Sequence, residues 1–264
     1  GLSEGKAANL VRYLAELPGN ELQPKHYIER IKNLAKDWGT KFEFLDQAAL
    51  KKRKAEAFLA VVRANPEDPY GIVHLTYKPK SSKKKIALVG KGVCFDTGGY
   101  NIKVADYMYE MHRDMTGSAV ALALFGQLVE SKAPYEVHAY LALAENLISP
   151  TGYRPNDVVV ASNGVSIEVV DTDAEGRMVL SDTLVYACEN KPDFIIDYAT
   201  LTGAVIRAID TRRSGVFSNS EKLLKAAVSA GDETGERVWP FPIGGDYWDG
   251  ICSEIADVRQ CAHG

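Results

Sequence analysis

The chain has 264 residues, 46% of them hydrophobic, enough for one large α/β domain to bury its own core without a disulfide framework. Lysine and arginine number 31 against 35 aspartates and glutamates, and the formal charge of -4 excludes a general electrostatic pull toward nucleic acid or anionic membrane. Cys94, Cys188, Cys252 and Cys261 form no Cys-x-x-Cys pair, no apolar run approaches the roughly 20 residues of a membrane span, and the start lacks a signal-peptide core, so a soluble cytoplasmic protein with reduced thiols is expected.

The opening third reads as helices with one strand between them. Pro24 suits a first helical turn, Tyr27, Ile31, Leu34 and Trp38 recur at helical spacing, and Gly39 can close that helix. Residues 41–45 alternate in the manner of a strand, and 47–62 return to helix. Further strands are expected at 72–77, 86–90, 137–143, 166–170 and 194–198, with helices at 117–130, 177–189 and 221–232. The alternation predicts an α/β fold: a mixed, mainly parallel sheet sandwiched by helices, with the active site at the carboxyl ends of strands. Five lysines fall within residues 78–85, a block read as a solvated turn between two strands.

Charged residues then crowd two short segments. The apolar strand 86–90 breaks into glycines, and Lys91, Asp96 and Lys103 follow, with Asp114 just before the small residues Thr116-Gly-Ser-Ala119. The strand at 166–170 delivers Asp173 and Glu175 immediately before a helix that begins near Arg177. Each residue alone has an ordinary reading: Asp173 as a helix cap, Glu175 as a first-turn acid, Asp96 as a turn former, Lys103 and Arg177 as surface charges. Jointly they point elsewhere, because clustered carboxylates repel one another and lose hydration, and divalent cations remove that penalty. Four oxygen donors with a lysine nearby exceed one closed tetrahedral site and suit a pair of cations about 3.5–4 Å apart. No His-Glu-x-x-His is present.

The segments Lys91-Gly-Val-Cys-Phe-Asp96-Thr-Gly-Gly-Tyr-Asn-Ile-Lys103, Asp114-Met-Thr-Gly, Thr172-Asp173-Ala-Glu-Gly-Arg177 and Ala199-Thr-Leu-Thr-Gly203 closely resemble the signature of the leucine aminopeptidases, the M17 family of metallopeptidases. The resemblance implies a two-metal-ion aminopeptidase that hydrolyses the N-terminal peptide bond of peptides with a free N-terminus, preferring Leu-like residues. It implies that Lys91, Asp96 and Asp114 hold the tighter metal with Glu175, and that Asp173 serves a more exchangeable one with Asp96 and Glu175 bridging. By the same resemblance Lys103 polarises the scissile carbonyl and stabilises the tetrahedral intermediate formed by a metal-activated water, while Arg177 holds a bicarbonate that acts as base. Met111, Thr200, Leu201 and Gly203 match positions around the first substrate residue. Zinc or manganese is expected, and cobalt and magnesium suit such carboxylate-rich positions too. Lys91 can ligate only as a neutral amine, so adjacent cations and burial must drive its pKa down.

The resemblance further implies a homohexamer. It also implies that residues 1–264 are the catalytic domain without the family's N-terminal domain, and that the catalytic domain continues beyond the C-terminal end of this chain. Asp171 stands where the family usually has Asn and is expected to point away from the metals, and His112 is expected to face solvent. The alternative reading is a DNA-binding or inactive structural member of the same family, tested by salt-dependent DNA retention. A dinucleotide fingerprint fails, since Phe95 sits where its third glycine belongs.

Overall fold

The structure is a computed structural model and describes residues 1–65 and 68–262. Residues 1–200 and 253–261 form one compact unit, and residues 201–252 with residue 262 form a second. The first unit runs through α1 (Leu2–Glu16), α2 (Pro24–Asp37), β1 (Lys41–Leu45), α3 (Gln47–Lys52), α4 (Glu56–Val62), β2 (Gly71–Tyr77) and β3 (Lys85–Asp96). Two short 3-10 turns (Ala105–Met108 and Met111–Arg113) precede α5 (Thr116–Glu130), β4 (Glu136–Asn146), β5 (Val158–Val160), β6 (Ser166–Glu168), α6 (Glu175–Glu189) and β7 (Phe194–Tyr198). The second unit holds α7 (Gly203–Ile209), β8 (Ser214–Val216), α8 (Glu221–Thr234), β9 (Val238–Pro240) and a 3-10 turn (Gly245–Ile251), and β10 (Val258–Arg259) belongs to the first unit again.

The central sheet has the order β1-β2-β4-β3-β7. β3 runs parallel to β4 and β7, while β2 is antiparallel to β1 and β4, so β2 alone opposes the other strands and the sheet is mainly parallel, as predicted. β4 is buried along its whole length, and its alternating side chains serve two cores. Tyr140 and Ala142 pack with Phe58, Val89 and Val179 among α4 and α6, whereas Ala139, Leu141 and Leu143 join Tyr27, Ile31, Leu122 and Phe125 among α2 and α5. Among the described residues no helix is long and apolar enough to cross a membrane.

Several elements differ in extent from the sequence expectation, most of all one helix and one strand. The helix expected over 47–62 is split: the chain turns through a positive φ of 57° at Lys54, and the new start at α4 is capped by the buried Asp182, whose Oδ2 accepts from the Phe58 N–H at 2.9 Å. β3 does not stop at Gly90 but continues to Asp96, paired with β4. Its glycines are packing positions rather than breaks, since a Cβ on Gly90 would lie 2.5 Å from the Ser118 Cα of α5. α6 begins at Glu175, two residues earlier than expected, so the acidic residue lies inside its first turn.

A smaller sheet, ordered β10-β6-β5, pairs β10 parallel to β6. Within the second unit β8 and β9 form a parallel pair, Phe217 stacks on Phe241 at 5.1 Å between ring centroids, and the Arg213 guanidinium lies 5.9 Å from the Trp239 ring centre.

Candidate metal centre

β3 overruns its pairing with β7, which ends at Gly90, and the overhang carries Lys91 and Asp96. Asp114 follows the second 3-10 turn, and the segment after β6 brings Asp173 and then Glu175 at the start of α6. Asp96, Asp114 and Glu175 converge so that one oxygen of each lies within 4.8 Å of the others. Lys91 Nζ sits 2.7 Å from Asp114 and 2.9 Å from Glu175 and donates to the Thr200 carbonyl at 2.8 Å. Lys103 Nζ stands 2.8 Å from Asp96 and 2.7 Å from Asp173, which joins the fourth carboxylate to the other three. The segments therefore meet as the sequence predicts, across about sixty residues of chain.

The electrostatics are those of a site short of positive charge. Burial pushes the Asp114 carboxyl up to about 8 against the pull of Lys91, and it pushes Asp173 up to about 6 against Lys103, with Asp96 adding to the rise. Glu175 is raised by burial and by the charge of Asp96, although Lys91 opposes this. Burial acts to lower both lysines, yet their carboxylate partners outweigh it and hold each ammonium above the ordinary lysine range. With only protein groups around it Lys91 is thus driven upward, not downward. A lowered pKa there requires the positive charge that a bound cation would bring.

The donor set fits cations. Asp114 Oδ2 and Asp173 Oδ1 are buried and meet no hydrogen-bond donor in line, although a lysine lies within ion-pair reach of each. Clustered carboxylate oxygens held only by lysine ammonium groups are donors that hard or borderline divalent ions can take up. Asp173 is not the helix cap: the residue at that position is Ala174, with no side-chain cap bond.

Uncharged polar residues that the sequence reading passed over hold this geometry. Asn146, at the end of β4, donates to Asp96 Oδ1 at 2.8 Å and to the Thr172 carbonyl at 2.9 Å. Thr172 Oγ1 donates to the Gly98 carbonyl at 2.6 Å and accepts from the Asn101 N–H at 2.8 Å, stitching the loop before Lys103 to the segment that bears Asp173. Gly176 is needed because a Cβ there would lie 2.6 Å from Lys91 Cε. None of these stands out in the sequence, since the strand that Asn146 ends also carries Glu136, His138 and Glu145 and a lone threonine or asparagine is commonplace.

Of the residues matched to substrate positions, Met111 opens the 3-10 turn that leads into Asp114. Thr200 braces the cluster itself, its Oγ1 donating to Asp114 Oδ1 at 2.8 Å while its carbonyl receives Lys91. Leu201 and Gly203 belong to the second unit, Leu201 being exposed and Gly203 opening α7. Arg177, in the first turn of α6, donates from Nη1 to the Gln260 carbonyl at 3.2 Å and keeps a buried Nε without a partner. Asp171 shapes the loop backbone, its Oδ1 accepting from the Asp173 N–H at 2.8 Å. His112 is half-buried beside Gly19 rather than facing solvent.

Fold and cluster together define an α/β protein with an acidic site suited to cations at the carboxyl edge of its sheet. The chain belongs to the cytosol aminopeptidase family, whose catalytic-domain model matches residues 9–264. It is 40% identical over 253 residues to a probable cytosol aminopeptidase of Persephonella marina, covering 96% of this chain and 51% of that protein. It is 42% identical over 254 residues to leucine aminopeptidase 1 of Arabidopsis thaliana, covering 94% of this chain and 49% of the relative. Among solved structures, the apo leucyl aminopeptidase of Trypanosoma cruzi superposes with a TM-score of 0.96 at 34% identity, covering 99% of this chain and 52% of the other. The Trypanosoma brucei leucyl aminopeptidase in complex with actinonin matches with the same TM-score, 0.96, and the same identity, 34%. The chain thus spans about half the length of the relatives it matches.

Proposed function

We propose that the chain is the catalytic domain of a two-metal aminopeptidase that removes N-terminal residues, Leu-like ones preferentially, from peptides with a free amine. The observation that carries this reading is the convergence of Asp96, Asp114 and Glu175, one oxygen of each within 4.8 Å of the others, in a buried cluster. Lys91, Asp96, Asp114 and Glu175 would hold the tighter cation, and Asp173 would serve the more exchangeable one with Asp96 and Glu175. The side chain of Glu175 is 2% exposed and that of Asp173 is 33% exposed, in keeping with that difference in exchange.

Divalent cations, zinc or manganese first among them, would supply Lewis acidity and acidify a water toward neutral pH. The remaining chemistry falls to the chain's own groups. Lys103 would place its ammonium where negative charge develops on the scissile carbonyl oxygen. Arg177, with its unpaired Nε at a helix start, would hold a planar anion such as bicarbonate, which amide N–H groups there also favour. Met111 and Thr200, both in the first unit, would contact the first substrate side chain. A nucleic-acid role draws little support from the lysine block, because Lys78 and Lys85 lie 3.3 and 3.7 Å from Glu136. We place the full-length protein as a cytosolic homohexamer, a state that native mass spectrometry reads directly.

The decisive experiment strips the protein with a chelator, restores Mn²⁺ or Zn²⁺, and follows release of leucine from an unblocked and an N-acetylated peptide. Hydrolysis of the unblocked peptide alone, lost on chelation and regained with metal, is expected. Activity indifferent to chelation sinks the proposal.

A further inference from the structure

The segment 170–177 carries Asp173, Glu175 and Arg177, and one residue far along the chain grips it at several points. Gln260 Oε1 accepts from the Val170 N–H at 3.2 Å and from the Asp171 N–H at 3.1 Å. Its Nε2 donates to the Ala174 carbonyl at 2.9 Å, and its own backbone carbonyl receives Arg177 Nη1 at 3.2 Å. The side chain is buried, at 6% exposure, so none of these bonds has water to replace it cheaply. Accepting two N–H groups and donating to a carbonyl at the same time is a combination that a neutral carboxamide supplies.

The placement of Gln260 is itself built. β10 pairs parallel with β6, and the Gln260 N–H extends the ladder to the Glu168 carbonyl at 2.9 Å. Asp257 anchors the approach, its Oδ2 accepting from the Ser166 N–H at 2.8 Å and from Ser166 Oγ at 2.6 Å. Arg259 Nε reaches Glu168 Oε2 at 3.3 Å. Gln260 thereby arrives alongside the segment that leaves β6, held by main-chain pairing and not by its own side chain alone.

We propose that Gln260 is a positioning residue for the metal centre: it latches the 170–177 segment so that Asp173 and Glu175 hold their carboxylates beside Asp96 and Arg177 keeps its direction. The inference rests on the two-metal reading above and adds to it a residue that touches no cation. Without the latch, the Val170 and Asp171 N–H groups and the Ala174 carbonyl lose their partner, and the loop has reason to rearrange to regain one. Residues that orient metal ligands from behind typically carry 10–100-fold of the metal affinity or activity.

The test compares wild type with Gln260→Met, which keeps length and loses all three side-chain bonds, and with Gln260→Glu, which keeps the acceptors and loses the donor. Three quantities are measured on the chelator-stripped protein: Mn²⁺ affinity by calorimetry, amide exchange across 170–177, and, after reloading, kcat and KM for an unblocked leucine peptide. For Gln260→Met we expect about tenfold or weaker Mn²⁺ binding, faster exchange confined to 170–177, and a fall in kcat of about tenfold or more with KM little changed. Gln260→Glu should fall between the two. A Gln260→Met protein that binds Mn²⁺ as wild type does and exchanges this segment at the wild-type rate overturns the latch and leaves the two-metal reading standing. A wild type that takes up no Mn²⁺ overturns that reading and the latch with it. Should Gln260→Met not fold, Gln260→Glu decides the matter, and wild-type Mn²⁺ affinity in it overturns the latch.

Discussion

Lys91 and Lys103 each bridge two carboxylates, yet they are expected to fail differently when removed. Lys103→Met should leave metal uptake intact and lower kcat by roughly 10²–10³-fold, the usual cost of losing a donor aimed at a developing oxyanion. Steady-state kinetics alongside metal analysis checks this, and loss of metal together with rate would move Lys103 from catalysis to binding. Lys91→Ala should instead reduce the metal that survives dialysis, because on the proposed reading its amine is one of the ligands of the tighter cation beside Asp114 and Glu175. Unchanged metal content in Lys91→Ala counts against its role as a ligand. The charged members of this site were legible in the sequence because charge crowded among apolar strands and glycines has few ordinary explanations. Asn146, Thr172 and Gln260 were not, since single uncharged polar residues occur everywhere and only their partners, 26 to 90 positions away, give them meaning.

Among the elements, β3 departs furthest from its sequence reading, and its packing makes a prediction. Gly90→Ala would press a methyl group against Ser118 Cα and the Gly117 carbonyl, so α5 must move away from the sheet. A loss of about 1–3 kcal/mol is expected in urea unfolding, the range for overpacking a filled core. β2 and β4 also bury a polar relay remote in sequence from the metal ligands. His138 Nε2 lies 3.0 Å from Glu136 Oε1 and its Nδ1 2.9 Å from His74 Nε2, while His74 Nδ1 lies 3.3 Å from the Tyr186 hydroxyl and 3.4 Å from Glu43 Oε2. Burial and the facing His138 hold His74 down to about 4. Its folded pKa lies below the unfolded value of about 6.5, so its contribution to stability is present above that pH and lost as pH falls toward 4. Glu145 has the opposite sign: burial pushes it up to about 7, so its contribution is present below about 4.5 and lost as pH rises through 7. Glu145→Gln should therefore gain on wild type by about 2–3 kcal/mol at pH 8 and not at pH 4, measured by denaturant unfolding at both. An equal difference at the two pH values would refute the assignment. The split of 47–62 into α3 and α4 escaped sequence reading because its cause, the Asp182 carboxylate, lies 124 positions from the N–H it caps.

The molecule as a whole should be steadied by metal. A cation that binds only the folded state raises stability by about 2.7 kcal/mol at a hundred times its Kd, so the thermal midpoint should climb with Mn²⁺ and stop climbing in Asp96→Asn. A midpoint indifferent to Mn²⁺ in wild type would remove the cation site from the account. The mainly parallel α/β fold was legible, since short apolar strands alternating with helices admit few other arrangements. The division into two units was not. In the second unit Gly231 is the one buried residue among those described, whereas Phe217, Trp239, Tyr247 and Trp248 remain exposed, and periodicity cannot tell an apolar residue that finds a core from one that does not. The latch at residue 260 also has a bearing on how the protein is born. Translation delivers Asp96, Asp114, Asp173 and Glu175 in that order, but the amides of Val170 and Asp171 find their acceptor only after some ninety further residues have left the ribosome. A nascent chain halted before that point would carry every candidate ligand and still lack the clasp that sets them, so on the proposed reading cation uptake waits for residue 260 rather than for the ligands alone.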